Sequence, residues 1–239
     1  MTQQKEMSFL SHLEELRWHL VRSAVAIFLL GIVFFAFAEA VYNNFLLAHI
    51  QSDFITYQLF CDFFTFFDIE SDFCSINFSD KKLQSIKVTS QLMNSLWTSF
   101  ILGVIVAFPY ILWEFWRFIS PGLHENERRQ SRGFIFIASL LFFFGVLFSF
   151  YVIAPISIHF LYNYQITDAI QNNFTLESHI GLVTNMILGV SVLFELPVII
   201  YFLAKIGLIT PAFLKRYRKH ALVFVLIIAA IITPPDVAS

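Results

Sequence analysis

The sequence predicts an all-α protein that crosses a membrane several times, and three observations carry that prediction. Of its 239 residues, 58% are hydrophobic, 18% are aromatic and only 13% are charged, which is too little charge to cover a water-soluble globule. Four apolar stretches reach the roughly 20 residues that a helix needs to cross a hydrocarbon core about 30 Å thick. Lys and Arg cluster in alternate connections, as a chain running back and forth through a bilayer requires. The net charge of −2 gives no footing for a nucleic-acid partner.

Residues 1–21 form a cytoplasmic amphipathic segment on this reading. Phe9, Leu13, Leu16 and Leu20 recur at helical spacing, so the helix either lies along the membrane surface or extends the first span. Ser11 followed by Glu14 fits a capping box. Charged residues from Lys5 to Arg22 precede any apolar run and no small-residue cleavage site follows, so the segment is expected to be retained rather than removed as a signal peptide. Glu14 can pair with Arg17 at i,i+3, whereas Glu15 finds Trp18 and His19 at i+3 and i+4, not a base, and is left without a helical partner.

The four spans are expected at 22–42, 92–113, 133–158 and 180–204. The second and third carry no charge, and the fourth carries Glu195 alone. A fifth apolar run, 221–233, is short and ends at Pro234 and Pro235, which cannot continue a helix. Twelve of the fifteen Lys and Arg lie before the first span, between the second and third, or after the fourth. The first connection, 43–91, has three lysines against an acidic background, and the third has no base. The amino terminus is therefore expected in the cytoplasm and the connection 43–91 outside it. Aromatic residues of that connection are expected on a small cap or at the interface. Its cysteines, Cys61 and Cys74, do not have the spacing of a metal site, and whether they are bonded is open.

Three acids stand out. In 121–132, Glu125 reaches Arg128 and Arg129 along a helix, but Glu127 faces Gln130 and Ser131. Glu127 is thus a second unclaimed carboxylate on the same side as Glu15. Glu195 lies about 13 Å inside its span at 1.5 Å per residue, where an ionised acid costs roughly 2.5 to 3.5 kcal/mol. Pro197 opens the helix beside it by failing to donate to the carbonyl of Leu193.

At these residues the chain resembles the TatC family, the signal-recognising membrane subunit of the twin-arginine translocase. The matching motifs are HLEELR at 12–17, FPYILWEFWRFISPGL at 108–123, ENERR at 125–129, FELPV at 194–198 and TPPDV at 233–237, in family order over one domain, 1–239, and the resemblance covers nearly all of it except roughly 49–87, where the first far-side loop is longer than usual in the family. The resemblance implies a six-span concave bundle in the bacterial inner membrane. Here four full spans and a short fifth are legible, and the sixth is expected to be missing from a sequence that stops at Ser239. It also implies a receptor rather than an enzyme, without metal or cofactor, that nucleates a proton-motive-force-driven, multimeric translocase with single-span partners of the TatA and TatB kind. The paired arginines of signal peptides on folded cargo would be met by Glu15 and Glu127, supported by Arg17, Pro109 and Phe118. Glu195 would offer an intramembrane polar contact to partner subunits, and Asp236 would lie in the last far-side loop. Glu114 stands where many relatives carry Gln, and its extra charge is expected to strengthen capture of a dibasic peptide. The alternative is a small proton-coupled transporter using Glu195, since intramembrane acids often mark ion pathways. An intramembrane hydrolase lacks its motifs.

Overall fold

A computed structural model describes residues 9–51, 53–67, 74, 83–122, 133–167, 173–205, 215–219, 223, 226 and 227. Helix α1 runs from Phe9 to Ala36, followed by a short turn of helix Ala38–Val41, a π-helical turn Tyr42–Leu46 and a 3₁₀ turn Ala48–Ile50. Helix α2 is Ile55–Phe66, and α3 is Ser90–Ile119. Helices α4, Phe134–Phe148, and α5, Ala154–Asn163, are joined through a π-helical segment, Ser149–Ile153, into one span; α6 is Leu176–Lys205. Among the described residues, four helices are long and apolar enough to cross a membrane: Leu13–Ala36, Ser90–Ile119, Phe134–Asn163 and Leu176–Lys205. They match the four expected spans, except that the first runs Leu13–Ala36 rather than 22–42. The fifth run lies largely outside the described residues.

The amino-terminal stripe extends the first span rather than lying flat, because α1 is continuous from Phe9. Helix has already begun before Ser11, so the Ser11–Glu14 capping box is corrected: an N-cap must precede its helix. Pro109 and Pro197 lie inside α3 and α6 without ending them, since packed neighbours tolerate the carbonyl that each proline leaves open.

Packing is closest where α1 crosses α3 and where α4 crosses α6, and in both places a glycine permits it. A Cβ on Gly103 would sit 2.8 Å from the carbonyl oxygen of Ile27 and 3.0 Å from the nitrogen of Gly31. One on Gly145 would sit 2.9 Å from Cα of Ser191. The core between α3 and α4 is closed by Phe108 stacked on Phe142, centroids 3.6 Å apart.

At the end of the bundle remote from Phe9, the residues after α1 fold into a cap that uses carbonyls released by irregular helix. In the π-helical segment the amide of Ala154 bonds Ser149, which leaves the carbonyl of Phe150 free, and Nε2 of the fully buried His49 donates to it at 2.8 Å. Pro155 has no N–H to offer Tyr151, and the hydroxyl of Thr56 donates to the Tyr151 carbonyl at 2.6 Å. Tyr57 donates to the carbonyls of His49 and Pro155 at 2.8 and 3.3 Å. His179 Nε2 donates to Leu46 at 3.1 Å, and Tyr162 donates to His179 Nδ1 at 3.0 Å. Cys61 and Cys74 are disulfide-bonded, with Cα atoms 4.9 Å apart, which resolves the question the sequence left open.

Burial pushes His49 down to about 4 from its usual 6.5, with His179 opposing its charge further, against the carbonyls of Phe150 and Leu46. Its Nδ1, which an added proton must occupy, has no hydrogen-bond partner. An unfolded chain therefore binds a proton below about pH 6.5 that the folded cap refuses until about pH 4. Stability contributed by neutral His49 is complete above that window and falls through it, by about 3 kcal/mol at 1.36 kcal/mol per pKa unit. Hydrogen exchange in the cap is expected to accelerate between pH 6.5 and 4, after correction for intrinsic rates, and His49→Gln is expected to flatten that profile. An equal acid response in His49→Gln would exclude His49 as its source.

Candidate functional site

At the end of the bundle that holds Phe9, α1 lies against the carboxyl-terminal turns of α3. One face of α1 carries Glu15, Leu16, His19, Arg22 and Ser23, residues spaced by one helical turn. His19 and Ser23 are buried, Glu15 and Arg22 half-buried. Opposite them α3 brings Tyr110, Glu114, Arg117 and Phe118.

Glu114 is the centre of this junction, and its side chain is only 1% exposed. Its Oε2 accepts from Nδ1 of His19 and from Nε of Arg22 at 3.2 Å, with Nη2 of Arg22 at 3.1 Å. Its Oε1 accepts from the Tyr110 hydroxyl at 2.9 Å and lies 3.7 Å from Nη1 of Arg117. A buried carboxylate is tolerated when it is paired and hydrogen-bonded on both oxygens. The expectation that Glu114 adds free charge for capturing a dibasic peptide is therefore corrected, because internal donors already occupy it. Between Leu16, His19, Glu114 and Phe118 only about 10 Å³ remains open, at or below the space of one water. The junction is a clamp, not a pocket.

Glu15 sits one turn before His19 on this clamped face. Neither Glu15 nor Arg17 has an ion pair or hydrogen bond among the described residues, so the Glu14–Arg17 pair allowed by spacing is not formed. Phe118 stands beside the face, its ring in edge contact with His19 at 6.1 Å between centroids. Glu15 is one turn before His19 and Phe118 one turn beyond Glu114, so both flank the His19–Glu114 contact. Arg17 is exposed, about 200° around α1 from Glu15, and points away from α3. Pro109 lies nine residues before Phe118, about 14 Å along the helix, and does not reach the junction. Glu127 and Asp236 lie outside the described residues.

Glu195 faces the interior of the bundle from α6, buried, with Oε1 lacking a hydrogen-bond partner among the described residues. The hydroxyls that share its face are engaged with their own helix: Ser191 donates to Ile187 at 2.6 Å and Thr184 to Ile180 at 2.7 Å. Neither donates its proton to Glu195.

Sequence reasoning missed His19 and Arg22 as partners of Glu114. They are separated from it by 95 and 92 residues, and spacing along one helix cannot reveal a contact between two. The available signal was a basic i,i+3 pair, His19 and Arg22, at the start of the first apolar span, matched by an acid at the end of the apolar run of α3.

Comparison with known proteins agrees with the arrangement. The family described as Sec-independent protein translocase protein (TatC) matches residues 11–239. A protein of that name from Blattabacterium sp. subsp. Periplaneta americana is 39% identical over 237 residues, 99% of this chain and 89% of the relative. Another, from Helicobacter pylori strain J99, is 46% identical over 141 residues, 59% of this chain and 56% of the relative. A crystal structure described as the twin arginine translocase receptor TatC in DDM superimposes with a TM-score of 0.73 at 28% identity, over 93% of this chain and 88% of that one. With its motifs, its four spans and these matches, the chain belongs to the TatC family of multi-pass membrane proteins and is a component of the twin-arginine protein translocation machinery.

Proposed function

We propose that this protein is the receptor for twin-arginine signal peptides and the platform on which the translocase assembles. The observation that carries this reading is Glu15, a half-buried acid one turn from the His19–Glu114 clamp, with no ion-pair or hydrogen-bond partner among the described residues. A carboxylate takes a guanidinium through two parallel hydrogen bonds, which an ammonium cannot reproduce, so Glu15 together with Glu127 favours Arg-Arg over Lys-Lys. Arg17 and Pro109 act indirectly, the first through local charge and the second through the shape of α3. Glu195, with its unmatched oxygen, is the contact for single-span partner subunits of the TatA and TatB kind, and Asp236 belongs to the last far-side loop. Transport by the assembled, multimeric complex draws on the proton motive force.

Twelve bases on one set of connections orient the amino terminus to the cytoplasm of a bacterial inner membrane. The Cys61–Cys74 disulfide supports the same orientation, because such bonds persist on the oxidising side. Photocrosslinking of an Arg-Arg signal peptide to membranes holding the full chain tests the site. Glu15→Ala and Glu127→Ala are each expected to lower the yield by about tenfold or more, the loss of a charged hydrogen bond worth roughly 1.5 to 3 kcal/mol. The variants are expected to insert normally. Unchanged yields in both would remove these residues from the site.

A further inference from the structure

Helix α2 divides into three faces along its length. Thr56, Tyr57, Phe60 and Phe64 turn toward the bundle, with Thr56 and Tyr57 buried. Gln58, Asp62 and Thr65 form an exposed polar strip. Between them Ile55, Leu59, Phe63 and Phe66, continued by Phe67, fall within about a third of the circumference, and each is more than half exposed. Phe67 lies 4.9 Å from Phe63 and 5.3 Å from Phe66 between centroids, so this strip is a continuous aromatic surface.

The height of α2 decides what covers that surface. Its hydrogen bonds go to the carbonyls of Tyr151 and Pro155, and Phe54, at its start, stacks on Tyr151 at 6.0 Å. Tyr151 and Pro155 lie 17 and 21 residues beyond Phe134, about 25 to 32 Å along the span at 1.5 Å per residue. Arg132 marks where charge ends and the apolar span begins. A hydrocarbon core about 30 Å thick entered there reaches its opposite boundary beside the first turn of α2, and any tilt of the span lowers that turn further into it.

We propose that α2 is an interfacial anchor, its strip Ile55–Leu59–Phe63–Phe66 seated in the outer leaflet at the boundary of headgroups and acyl chains, with Gln58, Asp62 and Thr65 in water. A helix about 18 Å long with one apolar face and one polar face takes this position by burying its apolar area a few ångströms into the interface. The cap is then held from two sides, by the hydrogen bonds of Thr56 and Tyr57 and by the bilayer.

Spin labels test this on the full chain, reconstituted at one copy per nanodisc of phosphatidylcholine and phosphatidylglycerol. Single cysteines Leu59→Cys, Phe63→Cys and Asp62→Cys are labelled without reductant, so that the Cys61–Cys74 bond stays closed. The ratio of relaxation by oxygen to relaxation by a water-soluble nickel chelate is expected to be several-fold higher at 59 and 63 than at 62. Equal ratios at all three positions would mean the strip faces water and would overturn the proposal. Protection of 59 and 63 from both agents would mean that protein covers them, and would equally overturn it. Phe63→Tyr, which keeps the ring, is expected to retain the native melting temperature and serves as the folding control.

Discussion

Gly103→Leu is expected to separate α1 from α3 and to lower the melting temperature of the detergent-solubilised protein more than any other single change considered. The atoms in the way are main-chain, the carbonyl of Ile27 and the amide nitrogen of Gly31, at 2.8 and 3.0 Å from the first side-chain carbon alone. Main-chain atoms move only if the whole helix moves. Overpacking usually costs about 1 to 3 kcal/mol, and a clash with two backbone atoms belongs at or above the upper end of that range. Gly31→Ala supplies the control, because its added carbon would meet the carbonyl oxygen of Ser99 at 3.6 Å, ordinary contact. A Gly103→Leu protein that melts with the parent would show that α1 and α3 do not cross as described.

Glu114→Ala is expected to cost about 3 kcal/mol, the low end for breaking a buried ion pair by removing one partner. The discount has a structural reason. The side chains of Arg22 and Arg117 are 41% and 48% exposed and rehydrate once released, whereas His19 and the Tyr110 hydroxyl lose the charged acceptor they share. Glu114→Gln keeps the shape and one acceptor oxygen and is expected to lose less than half as much. Thermal unfolding of the three proteins in detergent checks the order. If alanine and glutamine variants are equally stable, the clamp is not electrostatic. The same substitutions should loosen the presentation of Glu15, one turn away on the face that Glu114 holds.

Which parts of this were legible in the chain follows from the range of each interaction. The spans were readable because lipid imposes a long, local and nearly uncharged pattern, and Glu195 stood out against it for the same reason. Glu15 was singled out by what a helix denies it at i+3 and i+4, again a local property. The Ser11–Glu14 box misled because four residues at cap spacing say nothing about where the preceding turn has already begun. Glu114 looks like free charge in the sequence because its partners sit on another helix. The cap was least legible, since His49 and Thr56 bind carbonyls whose availability depends on how the third span departs from regular helix near Pro155.

That departure has a consequence for how such a scaffold can be elaborated. A lipid-embedded helix normally keeps every acceptor for itself, so nothing can be attached to its flank by main-chain bonds. Here two adjacent peptide groups, at Phe150 and Tyr151, are relieved of that duty at the level where the bilayer ends, and they act as a pair of hooks. A segment that brings an imidazole and a hydroxyl seven positions apart can hang from them, whatever length of chain it carries back to the next crossing.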